Sequence, residues 1–159
     1  MGLSSRLVAA ILCAATLAAC DTAAPAASAP PTAGPEHNDA DVAFVEALIP
    51  HHQVGIKLAR EVAKQPDHRV LAEAIISTEQ DEITRMIGWL SAWGVSAAGK
   101  STPPTPKGDP LKALAAHQRE AVSLAQREQA QGGNRVALDY ARQVIESRTA
   151  EVSELGPVQ

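Results

Sequence analysis

The chain has 159 residues, with 14 Lys and Arg against 18 Asp and Glu and a formal net charge of −4. This balance leaves no basic footprint for a nucleic-acid partner. Its two cysteines, Cys13 and Cys20, both lie near the N-terminus. If the first is removed with a leader and the second is acylated, the folded part has no disulfide, thiolate metal site or cysteine nucleophile.

The leader comes first. Arg6 supplies a thin positive region, Leu7 to Ala19 is apolar, and Leu17-Ala18-Ala19-Cys20 reads as a lipobox. The apolar run is too short to span a membrane easily. Arg6 also breaks the myristoylation pattern, which needs Ser or Thr there. We therefore expect a lipoprotein signal at 1–19 and a lipidated Cys20, whose acyl chains hold the protein to the membrane outside the cytoplasm. Residues 20–38, rich in Ala and Pro, read as a disordered tether.

Helical periodicity starts at 39, and no useful period-2 segment occurs, so an all-α fold is expected. Four helices are predicted at 39–64, 67–93, 110–131 and 134–155. The first carries Phe44, Leu48, His52, Ile56 and Ala59 on one stripe, with His51 beside it. The second reads as Leu71, Ile75, Thr78, Glu82, Met86 and Trp89, widened by Val70, Ala74, Ile83, Leu90 and Trp93, with Asp67 as N-cap. The third presents Leu111, Leu114, Ala121, Leu124 and Ala125, and the fourth Val136, Tyr140, Val144, Glu151 and Leu155. Short connections at Gln65-Pro66 and Gly132-Gly133 make two antiparallel hairpins, 39–93 and 110–155. The loop 94–109 joins them into a four-helix bundle spanning 39–155.

The halves also read as an internal duplication. His117-Gln118 aligns with His51-His52, Val144-Ile145 with Ile75-Ile76, Glu151 with Glu82, and Leu155 with Met86.

The chemistry concentrates at Ile49-Pro50-His51-His52-Gln53. A helix-interior proline costs about 3 kcal/mol or more, and two histidines occupy positions where packing favours hydrocarbon. In a hairpin turning near 65, His51 and His52 lie level with Glu79 and within a turn of Glu82. The second hairpin sets His117 level with Arg148 and near Glu151. A buried carboxylate at Glu82 must be paired, protonated or metal-bound. Imidazole, carboxylate and the Met86 thioether suit a borderline divalent ion such as Cu(II) or Zn(II).

Adjacent helical residues point about 100° apart. His51 and His52 therefore share an ion only if Pro50 distorts the helix. Otherwise one faces Glu82 and the other His117. Blander readings fit elsewhere: His37 as a solvated linker residue, Trp89 and Trp93 as packing, and the Arg and Glu residues of 119–128 as a solvated face. Glu-x-x-His pairs, His-Glu-x-x-His, a Gly-x-Ser-x-Gly elbow and a phosphate-binding loop are all absent from the sequence, and His117-x-x-Glu120 runs backwards. Binding is thus expected over catalysis.

Asp41-x-x-Phe44, Leu48-Ile49-Pro50-His51-His52-Gln53-x-x-Ile56-x-x-Ala59 and Gln80-x-Glu82-Ile83-x-x-Met86-x-x-Trp89-Leu90 together resemble the domain of unknown function 305. That family comprises bacterial, often secreted or lipid-anchored helical proteins with a His-His motif, regarded as ferritin-like, and some bind copper. The resemblance covers about 39–155. It implies His51, His52, Glu82 and Met86 as candidate metal positions, with His117 and Glu151 their second-repeat counterparts. Members often carry Met where this chain has Leu48 and Leu58, and Met86 is the one methionine beyond Met1. An imidazole-led site is therefore expected rather than a methionine-rich one. The leading expectation is a metal-binding protein, copper first, for buffering, storage or resistance. The alternative is an envelope interaction module whose core histidines are structural or pH-responsive. A metal-dependent redox enzyme is the third.

Overall fold

A computed structural model describes Gly34, residues 36–97 and residues 101–156. The leader, Cys20 and most of the expected tether lie outside these residues. Four helices form the fold: α1 Asp39–Val62, α2 Arg69–Ala92, α3 Pro110–Gln131 and α4 Arg135–Glu154. Among the described residues there is no strand, and no helix is long and apolar enough to cross a membrane.

Capping side chains set three of the four starts. Asn38 accepts from the backbone of Ala40 and Asp41 while Asp41 reaches back to the Asn38 amide, a reciprocal capping box. Asp109 caps α3, with Pro110 in the first turn where its missing N–H costs nothing. Asn134 caps α4. The start of α2 differs from expectation. Pro66-Asp67-His68 forms a single 3-10 turn, and α2 begins at Arg69 without a side-chain cap.

The inward face of α2 is also rotated from the predicted stripe. Thr78 and Ala74 are exposed and Val70 is 81% exposed. The buried residues are Ala72, Ile75, Glu79, Glu82, Met86, Trp89 and Leu90. Glu79 takes the inward place predicted for Thr78.

α1 packs against α2 and α3, and α3 against α4. Two apolar clusters result. One holds Phe44, Leu48, Met86, Trp89, Leu90, Tyr140 and Val144. The other holds Val54, Leu58, Val62, Ala72, Ile75, Leu114 and Leu155. On each helix the positions between them carry polar side chains, among them His52, Glu79, Glu82, Gln118 and Arg148, all buried.

The α3–α4 turn is held by a carboxyl pair that the sequence did not reveal. Asp41 accepts from the backbone N–H of Asn38 at 2.6 Å, Asn134 at 2.9 Å and Gly133 at 3.0 Å. Glu128, expected on a solvated face, is instead buried at 1% exposure. Burial first, then the hydrogen bond to Asp41 and its charge, push the Glu128 carboxyl up to about 8. It is therefore neutral at pH 7 and donates to Asp41. Burial works against the Asp41 charge. The hydrogen bonds from Glu128 and the three amides outweigh it and hold Asp41 below its usual range.

Other contacts tie the segment before α1 to the same end. His37, exposed as expected, also stacks its ring on Trp93 at 5.0 Å. The Trp93 indole donates to the Gly34 carbonyl at 3.1 Å, and Asn134 donates to the Glu36 carbonyl at 2.6 Å.

Glu128 has a folded pKa above its unfolded value. Its contribution is complete below the unfolded pKa and is lost as pH rises through about 8. Glu128→Gln keeps a donor for Asp41 but removes this titration. The wild type should lose about 1.4 kcal/mol more stability than the variant between pH 7 and 9. Urea unfolding at both pH values checks this.

Candidate metal centre

α1 runs from Asp39 to Val62 with Pro50 inside it. The proline removes one rung of the hydrogen-bond ladder but does not bring the two following imidazoles together. Their ring centroids are 6.4 Å apart, and each histidine belongs to a different environment.

His52 points inward and is fully buried. Its Nε2 lies 2.9 Å from Glu82 Oε2 and 3.2 Å from the Tyr140 hydroxyl. Burial holds the imidazole below its usual pKa despite the nearby Glu82 carboxylate. The neutral ring with its proton on Nε2 therefore donates to Glu82. Glu82 also pairs with Arg148. Burial would raise the Glu82 pKa, but the His52 hydrogen bond and the Arg148 charge overcome it and keep the carboxylate ionised. Burial first, then the Glu82 charge, raise the Tyr140 pKa and leave its hydroxyl intact.

Arg148 is the hub of this layer. Its guanidinium is fully buried, and besides Glu82 it meets Glu151 at 3.0 Å and Glu79 at 4.0 Å. Burial first, then the Glu82 and Glu151 charges, push the Glu79 carboxyl up to about 8, against the pull of Arg148. Gln118 spans the hairpins, donating to Glu151 at 2.8 Å and to Glu79 at 3.4 Å. Gly55 makes room for the Glu79 carboxyl, since a Cβ there would collide with both of its oxygens.

His51 points to the other side of α1. Its ring stacks on His117 with centroids 3.6 Å apart and 17° between planes. Glu120 Oε2 lies 3.7 Å from His51 Nε2. Among the described residues, His51, His117 and Glu120 each offer one donor atom, all within 4.8 Å of one another. Burial first, then the positive ends of His117, His52 and Arg148, push His51 down to about 3. Burial, then His52 and Arg148, push His117 down to about 4, against a hydrogen bond to the His51 backbone. Both rings are neutral at physiological pH, so no proton competes for their lone pairs. Both nitrogens of His51 and Nε2 of His117 are buried without a hydrogen-bond partner. Unsatisfied neutral imidazoles beside a carboxylate are a donor set that fits a borderline transition metal.

The sequence-derived positions thus divide. His51 and His117 meet, whereas His52 and Glu82 engage each other and Arg148. Met86 is fully buried in the apolar cluster with Phe44, Trp89 and Tyr140. Glu151 serves Arg148 and Gln118. Glu120, read on the solvated face, is exposed there, but its place beside His51 and His117 as a candidate donor was missed. Its signal was present, since it stands three residues after His117 and so on the same side of α3.

The sequence profile of the Domain of unknown function (DUF305) matches residues 41–112. These residues belong to that family. The solved structures agree in fold. A DUF305 protein of Streptomyces coelicolor superposes with a TM-score of 0.64 at 23% identity, covering 73% of this chain and 88% of that one. CopM in the Cu(II)-bound form gives 0.62 at 23% identity, covering 72% and 92%. CopM in the Ag-bound form gives 0.62 at 21%, covering 72% and 90%. At these identities the likeness establishes a shared helical bundle. No curated protein sequence matches the chain significantly.

Removing the Arg148 hub should be costly. Arg148→Met leaves Glu82 buried without its cation and should lower stability by about 3–5 kcal/mol. Adding Glu82→Gln should recover most of that loss. Urea denaturation of the single and double variants measures both steps.

Proposed function

We propose that this DUF305 protein binds a transition metal, copper first, at His51, His117 and Glu120, and serves to buffer, store or resist it. The observation that carries the reading is the pair of stacked, neutral, unsatisfied imidazoles beside a carboxylate. A buried nitrogen with no hydrogen-bond partner costs free energy, and ligation would remove that cost. The fold likeness to CopM, solved with Cu(II), Ag and Cu(I), favours copper within the borderline series.

In this reading His52, Glu82 and Arg148 are supports rather than ligands. They fix the rotation of α1 and so the direction of His51, the role outer partners play around metal ligands. Met86, packed among aromatic side chains, contributes to the core. We further propose an extracytoplasmic location with anchoring through acylated Cys20, on the strength of the lipobox.

Calorimetric titration with Cu(II) and Zn(II) tests the assignment. His51→Ala and His117→Ala should each weaken Cu(II) binding at least about tenfold, the scale of a lost ligand or outer partner. Glu120→Gln should weaken it less, because that side chain is 74% exposed. Equal and weak binding by the wild type and both histidine variants would overturn the metal reading and favour core histidines serving the fold.

A further inference from the structure

The candidate donors open into a cavity of about 450 Å³. A water molecule occupies about 30 Å³ of liquid, so this space greatly exceeds one hydrated ion and lies in the range of small-molecule sites. Three protein donors also leave coordination positions open for a non-protein ligand. Much of the wall is hydrocarbon without side-chain polar atoms: Pro50 of α1, Leu124 of α3, and Pro103, Pro104 and Pro106 of the inter-hairpin loop. Such walls suit an organic body better than a shell of water.

One cation stands in the same lining. Arg127 follows Glu120 by seven residues, about 10 Å along α3, and the spacing His117, Glu120, Leu124, Arg127 keeps all four on one helix face. Arg127 also lines an adjoining cavity of about 250 Å³ that shares Ala47 and Leu124 with the first. The described residues give Arg127 no ion pair or hydrogen bond. A guanidinium is a fork for a carboxylate.

We propose that the groove between α1 and α3 takes the metal together with a small chelating anion, an α-amino acid bearing a second carboxylate. Its amino and α-carboxylate groups fill positions left open by His51, His117 and Glu120, its methylenes lie along the prolines, and its distal carboxylate meets Arg127. This rests on the metal reading above and adds the form in which the metal is held. On binding copper the α-ammonium group gives one proton to solvent and no electron moves, so the complex is a reversible ternary one.

Equilibrium dialysis of the full chain with labelled L-glutamate, at one equivalent of Cu(II), tests it. Copper binding is measured first without amino acid. Glutamate should then be retained near one per bound copper and not at all without copper. At equal copper occupancy, L-alanine, which has the same chelating head, and glutamate on Arg127→Gln should each be retained about tenfold less. Copper binding with no glutamate retained, or with glutamate only stripping the copper, would overturn the proposal and leave the metal reading standing. Equal retention of alanine and glutamate, or no loss in Arg127→Gln, would also overturn it. No copper binding at all would overturn both.

Discussion

The buried guanidinium of Arg148 is the constraint on which the centre of this bundle depends. Taking a cation fully out of water costs several kcal/mol unless hydrogen-bonded charges surround it. Three carboxyl groups do so here, Glu79 and Glu82 from α2 and Glu151 from its own helix. Burial opposes the charge on Arg148, but these neighbours win and its pKa is raised. They are not all ionised, since Glu79 is neutral at pH 7. Because α2 and α4 meet through long side chains while α1 and α3 pack closely, this cluster ties the two hairpins together. An apolar layer would bury as well without fixing direction.

That fixed direction reaches the candidate metal centre through one helix. Glu82 holds His52, and His52 shares a turn with His51. With the first imidazole committed inward, the second turns outward toward His117. His51 has lost water without gaining a hydrogen bond and His117 keeps Nε2 unpartnered, whereas His52 has gained two partners. Identical side chains, adjacent in sequence, are thus given opposite properties by their neighbours. The pair acts as a hinge of chemistry, with a structural contact on one side and a candidate ligand on the other.

The two halves meet at this layer in a telling way. Under the alignment that matches His51 with His117 and Glu82 with Glu151, His52–Glu82 at 2.9 Å corresponds to Gln118–Glu151 at 2.8 Å. The same alignment sets Glu79 opposite Arg148. Two glutamates at those positions would repel in a dry interior. The Glu-to-Arg difference supplies the cation that lets the carboxylates coexist. The stacked His51–His117 contact joins the equivalent positions of the two halves directly.

Much of this was legible in the chain itself. Periodicity fixes four helices, since each apolar stripe returns every three to four residues, and the short turns make two hairpins. Hairpin register alone set His52 near Glu82, because rise per residue is a constant of the helix. Local rules failed where partners come from the other hairpin. Glu128 read as a surface residue because nothing nearby in sequence neutralises it. Its protonated, buried state exists only beside Asp41, and Glu79 keeps its proton through burial and the Glu82 and Glu151 charges, against Arg148. Glu120 is solvent-facing as read, and only its nearness to His51 across the α1–α3 interface was not legible. The sequence determined helices, turns and the presence of unusual histidines, which depend on short-range geometry. Only the tertiary structure decided which carboxyls keep their protons and which imidazole faces the cavity, because desolvation and charge pairing depend on what lies across the interface.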